Sequence, residues 1–293
     1  MKNKNKAIPE NLFFILTSLV FVWPILMVIA ISLTGEADIA SQGYRLIPRH
    51  FDFTAYKMVF ANPKQIIDAY NVTAFVSIVG TILAVFVQAL MAYPLSRTNY
   101  PYRKFFTFFI FFTMLFGGGL VPSYILNTQY LKLGNNIFIY ILPSLVVGWN
   151  IIIMRTFFQG IPVSLVESAH IDGCRDGEIF FRIILPLSKP VFATMALLTL
   201  LGKWNDWYTS LIYIRKPELY TLQYLLQRIL REAEFVNAMM RDMPGGYAGN
   251  QAELPAEGLK FAMAVVATGP MLMIFPFFQK YFAKGLTVGA VKG

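Results

Sequence analysis

The residue types that carry out covalent chemistry in enzymes are scarce in this sequence. His50 and His170 are its two histidines, and Cys174 is its single cysteine. They do not supply a nucleophile with an adjacent base, and neither the H-E-x-x-H metal motif nor the G-x-x-x-x-G-K-[ST] phosphate loop occurs. We therefore expect no catalytic residue and no metal site, and we expect that this chain does not bind ATP through a phosphate loop.

A second group of residues is suited to binding a solute, and most of it interrupts one hydrophobic run. The residues are Lys203, Trp204, Asn205, Asp206 and Trp207, with Gln88 and Asn150 as weaker candidates. Aromatic rings stack on the apolar faces of sugars and amides bond hydroxyl groups, so this set suits a hydroxyl-rich or anionic solute. Alternatively, Lys203 and Asp206, three residues apart, form an internal ion pair that locks the helix.

A third group lies in a polar island from Ser164 to Pro190. Long hydrophobic runs flank this island on both sides, so it must emerge from any membrane that those runs cross. Its charged residues are Glu167, Asp172, Arg175, Asp176, Glu178, Arg182 and Lys189. Such a composition is typical of a short surface helix that is presented to another protein.

Composition indicates which elements must position these residues. The chain has 293 residues, of which 56% are hydrophobic and 14% charged, whereas soluble domains have about 25% charged residues. Runs of about 20 apolar residues predict membrane-spanning helices, because lipid offers no partner to unpaired backbone groups. We therefore expect an all-α integral membrane protein with six spans, near Leu12–Leu33, Asn71–Leu95, Phe105–Leu126, Ile137–Phe158, Pro190–Ile214 and Phe261–Ala283.

The net charge of +9 is spread over the connections between spans, which favours an explanation by topology over nucleic-acid binding. The distribution of Lys and Arg predicts that both termini are cytoplasmic. We expect tails at residues 1–11 and 284–293 and a transmembrane domain over residues 12–283. Within this domain, residues 159–189 form a cytoplasmic connection and residues 215–260 an external one.

The external connection contains apolar residues at helical spacing, which predicts an amphipathic helix that caps the domain or receives an external partner. These residues are Leu222, Leu225, Ile229, Ala233, Val236 and Met240.

Glycine and proline predict breaks inside two spans. Gly117–Gly119, followed by Pro122, would interrupt the third span, and Gly269, Pro270 and Pro276 would interrupt the sixth. One interpretation is close helix packing through small residues. The other is a bend that lines a translocation path, where protein or water satisfies the freed backbone groups.

The spacing within the polar island resembles the EAA loop of permease subunits of binding-protein-dependent ABC importers. Glu167-Ser168-Ala169, Asp172-Gly173 and Ile183-x-Leu185-Pro186 match that pattern, with Ser168 and Cys174 where the family usually has alanine. The resemblance covers nearly the whole chain. Further stretches are similar to the carbohydrate branch, its complex-oligosaccharide group and alginate-type importers; they are FGGGLVPSYIL, MRTFFQGIP, WNDW, LQYLLQRIL, FPFFQKYFAKG and the terminal GAVKG.

The resemblance implies a type I permease fold in the bacterial inner membrane. It also implies a second homologous permease, two ATPase subunits that bind ATP and Mg, and an external solute-binding protein. The residues expected to couple to the ATPase are Glu167, Ser168, Ala169, Asp172, Gly173, Leu185 and Pro186, with Ala169 and Ile171 burying apolar area. The tail residues expected to contact the ATPases are Gly289, Ala290, Val291, Lys292 and Gly293.

The function implied is import of oligosaccharides, driven by ATP hydrolysis on the partner subunits. One alternative is a permease of the same superfamily for another polar solute, such as an amino acid or a metal. The other is an ATP-independent secondary transporter, for which we see no clear inverted repeat.

Overall fold

The computed structural model describes residues 7–242 and 255–290 of the chain. Within these residues, the only β pairing is an isolated bridge between Thr34 and Phe51. All other regular structure is helical, which confirms the predicted all-α class.

Fourteen α-helices occur in the described residues. They are α1 (Ala7–Ser32), α2 (Glu36–Gln42), α3 (Thr54–Val59), α4 (Pro63–Ser96), α5 (Arg103–Leu115), α6 (Leu120–Ile125), α7 (Gly148–Gln159), α8 (Val163–Ile171), α9 (Asp176–Ile179), α10 (Leu185–Leu187), α11 (Lys189–Trp204), α12 (Tyr208–Tyr213), α13 (Leu222–Asp242) and α14 (Ala256–Ala290). Single π-helical turns cover Leu126–Tyr130 and Phe180–Ile184, and 3₁₀ turns cover Ile137–Tyr140, Leu142–Ser144 and Pro217–Leu219.

Three of the helical segments are long and apolar enough to cross a membrane, namely Asn11–Ser32, Pro63–Ser96 and Ala256–Ile274. Three bent pairs also qualify when each pair is taken as one span, which gives up to six by length and composition. The pairs are Arg103–Leu115 with Leu120–Tyr130, Ile137–Ser144 with Gly148–Gln159, and Asp176–Leu187 with Lys189–Trp204. Six candidate spans agree with the number predicted.

The predicted break at Gly117–Gly119 is confirmed. Helix α5 ends at Leu115, α6 begins at Leu120, and the two segments meet at 111°. Gly119 has a φ of 82°, a conformation that glycine adopts without the steric cost that a Cβ brings. A second bend, of 48°, separates Ser144 from Gly148.

The predicted break of the sixth span at Gly269, Pro270 and Pro276 is wrong at the level of secondary structure. Helix α14 continues through all three positions. Proline removes one backbone donor, but its fixed φ of about −65° is compatible with a helix. In an apolar segment the remaining backbone groups have no water to bond to, so the helix is retained.

The fifth span also differs from the prediction of Pro190–Ile214. Helix α11 ends at Trp204, and α12 begins only at Tyr208. Asp206 explains the restart, because its Oδ1 accepts a hydrogen bond of 3.0 Å from the Thr209 backbone N–H near the start of α12. Helix α11 is also the second part of a bent pair whose first part, Asp176–Leu187, starts inside the connection predicted at residues 159–189.

The chain divides into two compact units, residues 1–66 with 225–270 and residues 67–224 with 271–293. In the first, the carboxylate of Glu36 accepts hydrogen bonds from the backbone N–H groups of Glu257 and Gly258 in the first turn of α14. The second unit holds a large apolar core built from α4, α5, α7, α8 and α11, with Met154, Phe158 and Phe180 at most 1% exposed. All the candidate site residues with described surroundings belong to this second unit.

Candidate functional site: a polar cavity and a surface helix

A cavity of about 600 Å³ lies among α6, α7, α11, α12 and the turn at Ile137–Tyr140. Eleven of its sixteen lining residues have polar side chains, although these elements come from apolar segments. The polar residues that line it are Ser123, Asn127, Tyr140, Ser144, Asn150, Thr199, Lys203, Asp206, Tyr208, Thr209 and Tyr213. Hydroxyl, amide and phenol groups bond hydroxyl-rich solutes, so the cavity is chemically suited to a sugar.

Lys203 is a buried residue of this lining, at 7% exposure. Its ammonium donates hydrogen bonds to the Tyr140 carbonyl oxygen at 3.0 Å and to the Ser144 hydroxyl at 2.7 Å. The predicted alternative of an ion pair with Asp206 is not present, because none of the salt bridges among the described residues within 4.0 Å includes Lys203. Lys203 therefore ties α11 to the turn before α7 through neutral acceptors.

Gly80 of α4 provides the room that the Lys203 side chain occupies. A Cβ added at Gly80 would lie 2.8 Å from Cε, 2.9 Å from Cδ and 3.0 Å from Nζ of Lys203. Carbon atoms pack at about 3.5–4.0 Å, so any larger residue at position 80 must displace the lysine.

A buried hydrogen-bond network holds the cavity wall behind Tyr140. The Tyr140 hydroxyl lies 2.7 Å from the Ser210 hydroxyl and donates to the Leu219 carbonyl at 2.8 Å. The Ser210 hydroxyl lies 2.9 Å from the Thr221 hydroxyl, which donates to the Asp206 carbonyl at 2.7 Å. Because buried polar groups are costly unless paired, this network fixes α12 against its neighbours.

Three of the seven predicted lining residues, Lys203, Asp206 and Asn150, do line the cavity. Gln88 does not. It is fully buried, donates to the Leu145 carbonyl at 2.9 Å, and accepts from the Asn150 side chain at 3.1 Å. Gln88 therefore orients Asn150.

Trp204, Asn205 and Trp207 are also absent from the lining. Trp204 is 5% exposed, so its ring belongs to the packed interior. The Asn205 side chain bonds the Leu201 carbonyl and accepts from Gln223, and the Trp207 ring packs edge-on against Tyr208.

None of the hydroxyl and phenol groups in the lining was predicted from the sequence. Tyr213 stacks on Tyr124 with ring centroids 5.7 Å apart, and its hydroxyl accepts from Asn127 at 3.3 Å. The available signal was the occurrence of tyrosine and asparagine inside apolar runs, but their common location depends on the bends at Gly117–Gly119 and at Asn205.

The polar island forms the surface helix that was expected, α8, and it ends in a well-defined cap. The backbone N–H of Gly173 donates to the His170 carbonyl at 3.0 Å, and that of Cys174 donates to the Ala169 carbonyl at 2.9 Å. Together with the φ of 81° at Gly173, these bonds form a Schellman motif. Glycine is favoured at this position because a side chain is strained at positive φ.

One face of α8 is open to solvent. Glu167, Ser168 and Asp172 are exposed, and Ile171 is 86% exposed. Ala169 is 6% exposed and lies in the core of this chain. Of the two apolar residues expected to bury area against a partner, the structure leaves Ile171 available for such a contact.

The segment that follows α8 is attached firmly to the core. Ile179, Phe180 and Ile184 are at most 1% exposed, and the Phe180 ring lies 5.4 Å from that of Tyr93. Leu185 packs against the same core, whereas Pro186 is exposed. The island is therefore a rigid extension of the helical core.

Arg97 lies directly after α4 and lines a cavity of about 400 Å³ together with Glu167 and Asp176. Its guanidinium carbon is 4.9 Å from the centroid of the Tyr93 ring. Burial lowers the pKa of Arg97, an effect that the neighbouring Tyr93 and Asp176 oppose. Arginine remains charged under such a shift, so it keeps a positive charge beside α8.

Two of the five predicted tail residues, Gly289 and Ala290, lie at the end of α14. Val291, Lys292 and Gly293 lie outside the described residues.

Comparison with known proteins places this geometry in a family. The family described as "binding-protein-dependent transport system inner membrane component" matches residues 69–288. The polygalacturonan/rhamnogalacturonan transport system permease protein YtcP of Bacillus subtilis (strain 168) is 38% identical over 281 residues, which cover 96% of each chain. The arabinooligosaccharides transport system permease protein AraQ of the same organism is 29% identical over 291 residues, covering 97% of this chain and 95% of that protein.

A solved structure agrees with this assignment. It is the crystal structure of a bacterial ABC transporter involved in the import of the acidic polysaccharide alginate. One chain of it superposes with a TM-score of 0.73 at 28% sequence identity, covering 96% of this chain and 97% of that one. The helical fold, the six candidate spans and the matched family agree, and the chain belongs to the inner-membrane permease components of binding-protein-dependent ABC transport systems.

Proposed function

We propose that this protein is a permease subunit that imports oligosaccharides through the cavity at α6, α7, α11 and α12. The observation that carries the proposal is the lining of that cavity by hydroxyl, amide and phenol groups within apolar segments. An apolar solute would gain nothing from these groups, whereas a sugar can pair with them. The carbohydrates named for the similar permeases YtcP and AraQ support the same class of solute.

The energy for import is supplied from outside this chain. Two ATPase subunits bind ATP and Mg, a second homologous permease completes the pathway, and an external solute-binding protein delivers the sugar. Both termini of this subunit are cytoplasmic, as the positive-inside rule favours. The tail at Gly289–Gly293 contacts the ATPases.

Helix α8 is the coupling element that docks on an ATPase subunit. Exposed Glu167 and Asp172 pair with basic residues of the ATPase, and exposed Ile171 buries apolar area against it. The Schellman cap at Gly173 and the buried residues Phe180 and Ile184 support this mechanism, because a rigid attachment transmits a displacement of α8 to the spans.

The test is solute uptake by the assembled importer in proteoliposomes, with Glu167→Lys and Gly173→Pro variants of this subunit. Glu167→Lys reverses a charge at the docking face, and proline cannot adopt the φ of 81° at Gly173. Both variants should insert and yet lose uptake and solute-stimulated ATP hydrolysis. Gly177→Ala is the matched control, because Gly177 is an exposed glycine of the same island without a positive φ.

Normal coupled transport by both variants would remove α8 from the mechanism. Uptake of amino acids or metal ions in place of sugars would instead favour the alternative of a permease for another polar solute.

A further inference from the structure

The cavity wall contains one positive and one negative side chain, and the two do not form a salt bridge. Among the described residues, Lys203 and Asp206 are the only ones of the lining that carry a formal charge. The Asp206 carboxylate accepts a hydrogen bond from the Thr209 backbone N–H and so stabilises the start of α12. Lys203 bonds only neutral oxygens of Tyr140 and Ser144.

The Lys203 ammonium has capacity for a further partner. It has three N–H donors, and two acceptors are found for it among the described residues. No carboxylate of those residues lies within 4.0 Å of it. A buried ammonium whose bonded partners are both neutral is costly at membrane depth, and ionisable residues there face the bundle interior or a water-filled cavity and mark substrate pathways.

The surroundings of Lys203 are shaped for this side chain. Gly80 lies against its aliphatic stem so closely that a single Cβ would collide with it. Packing alone does not call for a lysine here, since an unbranched apolar side chain such as methionine fills a similar volume at a lower desolvation cost.

We propose that Lys203 is the counter-ion for a carboxylate of the solute, so that the cavity selects acidic, uronate-containing oligosaccharides over neutral ones. This inference rests on the proposed function of the same cavity and adds the charge of its substrate. The neutral groups of the lining, Asn127, Asn150 and Tyr208 among them, bond the hydroxyl groups of the sugar. Asp206 opposes the binding of an anion and limits the net positive field of the site.

The experiment compares two forms of one substrate, galacturonate oligosaccharides and their methyl esters, in proteoliposomes that contain the whole importer. The measured quantity is the ratio of acid uptake to ester uptake, which cancels differences in protein amount. Lys203→Met should lower this ratio about tenfold, because it removes the positive charge at the site. Asp206→Asn should raise it, because it removes the negative charge while the side-chain oxygen still accepts from Thr209.

Lys203→Arg separates charge from folding: it retains the positive charge, so whatever amount of protein folds should favour the acid over the ester more strongly than Lys203→Met does. An unchanged ratio in Lys203→Met and Asp206→Asn, with acid and ester uptake reduced alike, would show that Lys203 only locks the helices and would overturn the inference. Wild-type protein that imports the ester as well as the acid would also overturn it, while leaving oligosaccharide import intact. Wild-type protein that imports neither form, nor any neutral oligosaccharide, would refute the proposed function itself.

Discussion

Single residues set the geometry of both candidate sites, and two glycines do so by their lack of a side chain. Gly80 leaves space for the stem of Lys203, and Gly173 adopts a φ of 81° at the end of α8. The role of Gly80 could not be assigned from the sequence, because Lys203 is far away in the chain. The turn at Gly173 could be predicted, since glycine after a helix is a local signal.

Replacing Gly80 by alanine should weaken the fold through Lys203. The added Cβ would lie 2.8–3.0 Å from three atoms of the lysine, so the side chain must shift and its hydrogen bonds to Tyr140 and Ser144 are distorted. We expect a loss of about 1–3 kcal/mol in stability, as for other overpacked sites, measured as a lower thermal unfolding midpoint in mild detergent. Gly202→Ala is the control, because Gly202 is also helical and has no atom within 4 Å of an added Cβ; an equal effect of both changes would contradict the steric account.

Gly173→Ala should be more damaging than Gly177→Ala, although an added Cβ meets open space at both positions. The difference lies in the backbone, because a left-handed conformation costs a side chain about 1–2 kcal/mol. The expected readout is a lower unfolding midpoint and a reduced ratio of uptake to ATP hydrolysis in Gly173→Ala alone. Indistinguishable variants would show that the cap at the end of α8 has no influence on stability or coupling.

At the scale of elements, regular patterns were predicted well and tertiary bends only in part. The helical spacing from Leu222 onwards predicted α13, and Leu222, Leu225 and Ala233 are buried as the pattern requires. Consecutive glycines predicted the bend after α5. By contrast, prolines did not break α14. The end of α11 at Trp204 was not predicted either, because Asp206, whose side chain bonds the start of α12, lies within an apolar run that favours one continuous helix.

The network behind the cavity depends on contacts between α12, the start of α13 and the turn at Ile137–Tyr140. Thr221 is fully buried and its hydroxyl contacts both Ser210 and the Asp206 carbonyl. Thr221→Val keeps the shape but removes the hydroxyl that contacts Ser210 and donates to the Asp206 carbonyl, so we expect a loss of about 1–3 kcal/mol in stability. Thr156→Val is the control, since Thr156 is exposed and bonds only the carbonyl of Ile152 in its own helix; thermal unfolding in detergent should leave it near wild type.

At the scale of the whole molecule, the family and the number of candidate spans could be predicted from the sequence. The spans could be predicted because the length of an apolar run is a strong signal. The sequence did not predict the cavity, whose wall combines residues from bent segments that are distant in the chain. Lys203, for instance, bonds Tyr140 and Ser144, which lie about sixty residues earlier. Such a contact has no local pattern, so five of the seven predicted lining residues were Lys203 and its neighbours in sequence.

The subunit should not occur alone. Affinity purification in mild detergent should recover a second permease and an ATPase with this chain. Glu167→Lys should reduce recovery of the ATPase but not of the permease, because in the proposed mechanism the exposed α8 face binds only the former. Equal recovery of the ATPase with wild-type protein and with this variant would contradict docking through Glu167.

The most direct test of the account is uptake of labelled galacturonate oligosaccharides by proteoliposomes of defined composition. The chain alone is compared with the complex that contains both permeases, the ATPases and the binding protein, each with ATP and with a non-hydrolysable analogue. Accumulation is expected only in the full complex with hydrolysable ATP. Accumulation by this chain alone would contradict this expectation, and so would equal accumulation by the complex with ATP and with the analogue. Either result would identify an ATP-independent transporter.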